Sequence, residues 1–99
     1  MATSTKSIDK NETAEYFVYI VECFDKTLYC GYTVNLSKRI KEHNSTKYGA
    51  KYTRGRRPVA LKYFRKYDTL NEVLKEEWRV KHLSRQRKLD LISSQTNGI

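Results

Sequence analysis

Long apolar runs are missing from this chain, and so are the cysteines for a disulfide scaffold and the acidic residues to balance its bases. No stretch approaches the roughly 20 apolar residues that span a bilayer, and no amphipathic anchor is visible, so no membrane partner is expected. The opening "MATSTKSIDKNETAE" has no hydrophobic h-region, so no secretory signal is expected either. Cys23 and Cys30, the two cysteines, are read as free thiols of an intracellular protein, cytoplasmic or nuclear. With two histidines beside them, a structural zinc site is not expected. Acidic residues number 11 against 20 lysines and arginines, a formal net charge of +9. That excess favours a polyanionic partner.

What is present organises simply. Ninety-nine residues make one domain with a modest core. Residues 1–14 read as a disordered polar tail, 15–92 as the folded domain and 93–99 as a flexible tail. In "YFVYIVECFDKTLYCGYT", two runs rich in Tyr, Phe, Val and Ile flank the polar pair Asp25-Lys26, which predicts strands over about 16–23 and 27–32. Asn35 can cap a helix to about Asn44, and "STKYGAKYTRGRRP" reads as a loop closed by the single proline. A strand over about 59–67 follows, then a helix from the Thr69/Glu72 capping box to about Leu83 and a short helix from Ser84. The order ββαβα(α) predicts an α+β domain, a small three-stranded antiparallel sheet flanked by helices.

The helices carry charges where apolar residues belong. At 100° per residue, Arg39 and His43 fall on the side of Leu36 and Ile40. On the next long helix Leu70, Val73, Leu74 and Trp78 form the apolar stripe, and Glu77 projects within it. An inward carboxylate is costly unless it is paired or holds a cation. Two readings fit Glu77: an i,i+4 pair with Lys81, or a site shared with Arg39 and His43. Trp78 reads as core. The basic loop "KYTRGRR" suits phosphate oxygens and a stacked base, though such a run is also an ordinary solvated surface.

These residues resemble a family. "VYI" at 18–20 with "YCG" at 29–31 is similar to the paired signature of the GIY-YIG nuclease superfamily, with Val18 in place of the first glycine and Cys30 in place of the isoleucine. "GYTVNLSKRIKEHN", "AKYTRGRRPV" and "LKEEWRVKHLS" resemble, in order, further elements of its small stand-alone, UPF0213-like members and of the Slx-type branched-DNA endonucleases. The resemblance spans about residues 16–92 and implies a phosphodiesterase dependent on one Mg²⁺ or Mn²⁺ ion. It places Tyr19, Tyr29, Arg39, His43, Tyr52 and Glu77 in the catalytic site, with Glu77 as the metal ligand. Tyr16 and Tyr32 are left to packing, and Thr33 and Asn35 to support of the helix start.

The chemistry suits phosphodiester hydrolysis. Arg39 offers a planar fork to non-bridging oxygens. Either Tyr19, if cations lower its pKa, or His43 can take the proton of the attacking water. Tyr29 and Tyr52 can position phosphate by their hydroxyls. Lys51, Arg54, Arg56 and Arg57 are the expected DNA-backbone contacts. The expected substrate is DNA, branched or damaged, and a small domain leaves room for a protein partner that supplies specificity. A binding module without turnover is the alternative.

Overall fold

The computed structural model describes residues 15–97; the polar stretch 1–14 lies outside them. Tyr16–Glu22 (β1) and Leu28–Thr33 (β2) form the hairpin. Cys23 N–H donates to Thr27 O at 2.8 Å across its turn, where Asp25 Oδ1 accepts from the Thr27 hydroxyl at 2.6 Å and Lys26 adopts the left-handed conformation, φ 72°. Leu36–Ser45 is α1, Lys51–Arg54 the single turn α2, Ala60–Tyr67 β3, Leu70–Lys81 α3 and Arg85–Asn97 α4. The sheet order is β2-β1-β3 with both pairings antiparallel, the predicted α+β architecture. Among the described residues no helix is long and apolar enough to cross a membrane.

Because β1 is central, Val18, Tyr19, Ile20 and Val21 are all at most 1 % exposed. Strand alternation sends them to opposite faces. Val18 and Ile20 join Cys30, Tyr63, Val73 and Val80 beneath α3, with Leu91 and Ile92 of α4 packed alongside. Tyr19 and Val21 join Cys23 and Val59 beneath α1, which contributes Leu36 and Ile40. Both cysteines are buried free thiols.

The caps are as read: Asn35 Oδ1 accepts from Lys38 N–H at 3.1 Å, and Thr69 Oγ1 from Glu72 N–H at 3.2 Å. Thr33 Oγ1 accepts in turn from Asn35 N–H at 3.1 Å. The far end of α1 is tied to the start of β3 by Asn44, whose amide both donates to Val59 O and accepts from Val59 N–H. Gly49 lies so close to this end that a Cβ there would stand 2.7 Å from Glu42 O.

Several expectations are corrected. The stretch read wholly as loop contains α2. Trp78 is 63 % exposed and stacks on His82, while Leu70 and Leu74 are also exposed. A helix on a narrow sheet buries a narrow seam, here the i,i+7 pair Val73 and Val80, and Trp78 lies roughly 140° around the helix from Val73. Tyr16 packs against the α3-side core as expected, but Tyr32 is 38 % exposed at the edge strand. The last helix is not short. Gln95 holds its final turns against β3, accepting from Phe64 N–H at 3.1 Å and donating to Phe64 O at 2.7 Å.

Candidate active site

Tyr19 faces Gly31 across the β1–β2 pair. A Cβ on Gly31 would stand 2.7 Å from the Tyr19 hydroxyl oxygen and 2.9 Å from Cζ, so only glycine lets the phenol lie over β2. The phenol oxygen then meets His43 Nε2 at 2.7 Å, and His43 Nδ1 meets Thr53 Oγ1 at 2.8 Å. The direction of this chain follows from its last member. Thr53 has one hydroxyl proton and donates it to Ala50 O at 2.9 Å. Its oxygen therefore accepts from His43 Nδ1–H, which leaves the Nε2 lone pair for the Tyr19 proton. Tyr19, His43 and Thr53 are each at most 1 % exposed, and every buried side-chain nitrogen or oxygen among the described residues has a partner.

Burial sets the ionisation of the pair. It pushes the Tyr19 phenol up to about 12, against the charge of the nearby Arg39 guanidinium. Burial, and then the Arg39 charge, push the His43 imidazole down to about 4. Both groups are neutral near pH 7.

Other side chains close around them. Tyr29 presents its ring edge-on to His43, with centroids 5.4 Å apart, and stacks on Tyr52 at 5.7 Å. The Arg56 guanidinium covers the Tyr52 ring at 4.1 Å and is held there by Asp25 and by Tyr52 O. Arg39 is half-buried, its Nη1 shared between Glu42 Oε1 at 2.8 Å and Tyr48 O at 2.9 Å. Tyr19, Tyr29, Arg39, His43 and Tyr52 thus gather on the α1 face.

Glu77 lies on the other face. Its carboxylate meets Lys81 Nζ at 3.3 Å, the i,i+4 pairing, and its backbone oxygen lies 4.0 Å from Cys30 Sγ. The Cys30 thiol is pushed up to about 12, first by burial and then by the Glu77 charge. Because β2 is an edge strand, Glu77 flanks on one side the strand that carries Tyr29 on the other. Among the described residues no three His, Cys, Asp or Glu side chains cluster as a metal cage. A hard ion that fills its shell with water and phosphate oxygens needs only one or two carboxylates, and the half-buried Glu77 fits that demand.

The basic residues divide. Lys51 and Arg54 are exposed. Arg56 is pinned on Tyr52, as described. Arg57 is a helix cap: its Nε donates to His43 O at 2.5 Å and its Nη2 to Thr46 O. Thr33 and Asn35 are accounted for by the turn and the cap. Thr53 was missed from the sequence, where nothing distinguishes it within "KYTRG"; its role exists only because α2 folds its hydroxyl beneath His43.

Residues 15–90 match the GIY-YIG catalytic domain. A UPF0213 protein of Syntrophus aciditrophicus is 59 % identical over 76 residues, covering 77 % of this chain and 87 % of that protein. Another, from Natronomonas pharaonis, is 42 % identical over 83 residues, covering 84 % and 96 %. The solution NMR structure of the UPF0213 protein BH0048 from Bacillus halodurans is 44 % identical, with a TM-score of 0.53 over 80 % of this chain and 83 % of that one. With the paired signature on β1 and β2, and with these relatives along most of its length, this chain belongs to the GIY-YIG nuclease family, among its UPF0213 members.

Proposed function

We propose that this protein is a divalent-metal-dependent endonuclease that hydrolyses DNA phosphodiester bonds, directed by the shape of its substrate rather than by sequence. It would act inside the cell in DNA repair, recombination or processing. The observation that carries the reading is the buried Thr53–His43–Tyr19 chain with Arg39 at its open end.

A phenol with a pKa near 12 offers no phenolate at pH 7, and a fully buried imidazole cannot touch a substrate. Joined, they can work as one base. Once Arg39 has turned away to the phosphate, a water that reaches the Tyr19 oxygen gives it a proton as the Tyr19 proton crosses to His43 Nε2. The nascent hydroxide adds to phosphorus, and the 3′-oxygen departs. His43 becomes an imidazolium whose Nδ1–H stays on Thr53, so the ring does not have to turn to accept the charge. Arg39 turns from Glu42 and Tyr48 O to the non-bridging oxygens, which uncovers the Tyr19 oxygen and neutralises the charge building on phosphorus. Tyr29 and Tyr52 support the pair and border the phosphate; Lys51 and Arg54 contact the backbone of the same strand.

Glu77 is the carboxylate that would hold Mg²⁺ or Mn²⁺, whose chemistry there would be polarisation of the phosphate and stabilisation of the leaving oxygen. Lys81 must then release Glu77. That contact is the one observation favouring the second reading, a nucleic-acid-binding module without turnover.

The test is a labelled DNA panel of single strand, duplex, flap and four-way junction, with Mg²⁺ or Mn²⁺ and an EDTA control. Wild type should cut, and cleavage should vanish with EDTA, in Glu77→Ala and in Arg39→Ala. Binding without cleavage under either metal would favour the second reading.

A further inference from the structure

We propose that the groove on the outer side of α1 is a nucleotide subsite, which takes one unpaired nucleotide of a DNA strand beside the phosphate bound at Arg39. The inference rests on the nuclease reading for that phosphate and adds where the neighbouring nucleotide goes.

The groove is a cavity of about 570 Å³ lined by Lys38, Lys41, Glu42, Ser45, Thr46 and Tyr48. That volume is in the range of small-ligand pockets and accommodates a single nucleotide. Its charge is one-sided. Lys38 and Lys41 are exposed and form no salt bridge among the described residues, while Glu42, the acidic lining residue, is neutralised by Arg39 at 2.8 Å. Lys47 adds a third ammonium, 5.5 Å from the centroid of the Tyr48 ring.

Tyr48 has room for a base on the ring face that the Lys47 ammonium does not cover. It is 66 % exposed. Tyr52, the tyrosine that the sequence offers for stacking, already carries Tyr29 and the Arg56 guanidinium on its ring. The groove also adjoins the chemistry, because Arg39 Nη1 holds both Glu42 and Tyr48 O. An arginine drawn to a phosphate releases both contacts at the groove wall. A base stacked on Tyr48, with its own phosphate on Lys38 and Lys41, would therefore lie next to the phosphate that Arg39 clamps. A paired base keeps its ring faces in the duplex stack, so the subsite selects an unpaired nucleotide, as in a single strand or flap.

Binding is read apart from cleavage, in EDTA and on a Tyr19→Phe background. Tyr48→Ala should weaken single-stranded DNA roughly 5- to 100-fold, as the loss of one stacked base does, with Tyr48→Phe close to the parent. Affinity for a blunt duplex should be unchanged in both, which also reports that the fold is intact. Lys38→Ala with Lys41→Ala should reduce the slope of log K against log salt for single strands by about 0.7, the share of one phosphate. If Tyr48→Ala binds single strands as its parent does, or loses duplex equally, the stacking site is overturned. If the salt slope is unchanged in the lysine pair, the phosphate contacts are overturned. Because nothing is cut in these measurements, either result leaves the cleavage test standing, and a failure to cleave leaves these results standing.

Discussion

Beneath α3 the sheet buries Val18, Ile20, Tyr63, Val73 and Val80; beneath α1, one residue away along β1, it buries Tyr19 with His43 and Thr53. Both faces are buried, yet they are held by different physics. The α3 face is stabilised by apolar area and tolerates imperfect geometry at a cost in packing. The α1 face encloses three polar side chains, and each is tolerable only because its neighbour completes its hydrogen bonding. Alternation along one strand thus sets a chemical site against a stabilising core with no linker between them.

The strongest way to break that contrast is at Arg39, which serves the site and no core. Arg39→Ala should lower metal-dependent cleavage on the order of 10³-fold with thermal unfolding almost unchanged, measured by single-turnover cleavage and by calorimetry. Gly31→Ala comes next. Its Cβ would meet the Tyr19 oxygen at 2.7 Å, so the phenol must leave His43. Cleavage should fall on the order of 10²-fold, with a lower melting temperature, because a buried hydrogen bond is broken as well. The complementary probe is Val73→Ala on the other face. It should cost about 2 kcal/mol in urea unfolding while each folded molecule still cuts at the wild-type rate. Loss of turnover in the folded variant would show that the faces are not separable.

The smallest expected effect concerns pH. With His43 at about 4 in the folded protein and near 6.5 when unfolded, the unfolded chain binds the proton first as pH falls. This contribution to stability is complete above about pH 6.5 and is lost toward pH 4, roughly 1–2 kcal/mol by pH 5. Unfolding free energies measured between pH 7 and pH 5 should show that loss, and His43→Gln should flatten it.

How far the sequence could be read depended on whether a feature is local. The hairpin is local, since β-branched and aromatic runs flank a turn whose Asp25 bonds its own neighbours, and Asn35 and Thr69 announce their helices by side chains that reach three residues on. The inward turn of Arg39 and His43 follows from their i,i+3 spacing with Leu36 and Ile40 of α1. The tertiary features were not legible. Trp78 falls outside the buried seam because the sheet is only three strands wide and Val80 completes the seam instead. The length of α4 depends on Gln95 reaching an edge strand 31 residues away in sequence. Thr53 and Arg57 read as part of a basic loop, yet one fixes the proton on His43 and the other caps α1.

The central claim is that Tyr19 and His43 act as one base. The most direct measurement is a double-mutant cycle on single-turnover cleavage in Mg²⁺ or Mn²⁺, comparing wild type, Tyr19→Phe, His43→Gln and the double variant. A relay predicts that each single change costs at least about 10²-fold and that the double variant is no slower than the worse single one, because either change already breaks the same proton path. Costs that multiply in the double variant, or a single variant that cuts at the wild-type rate, would contradict it.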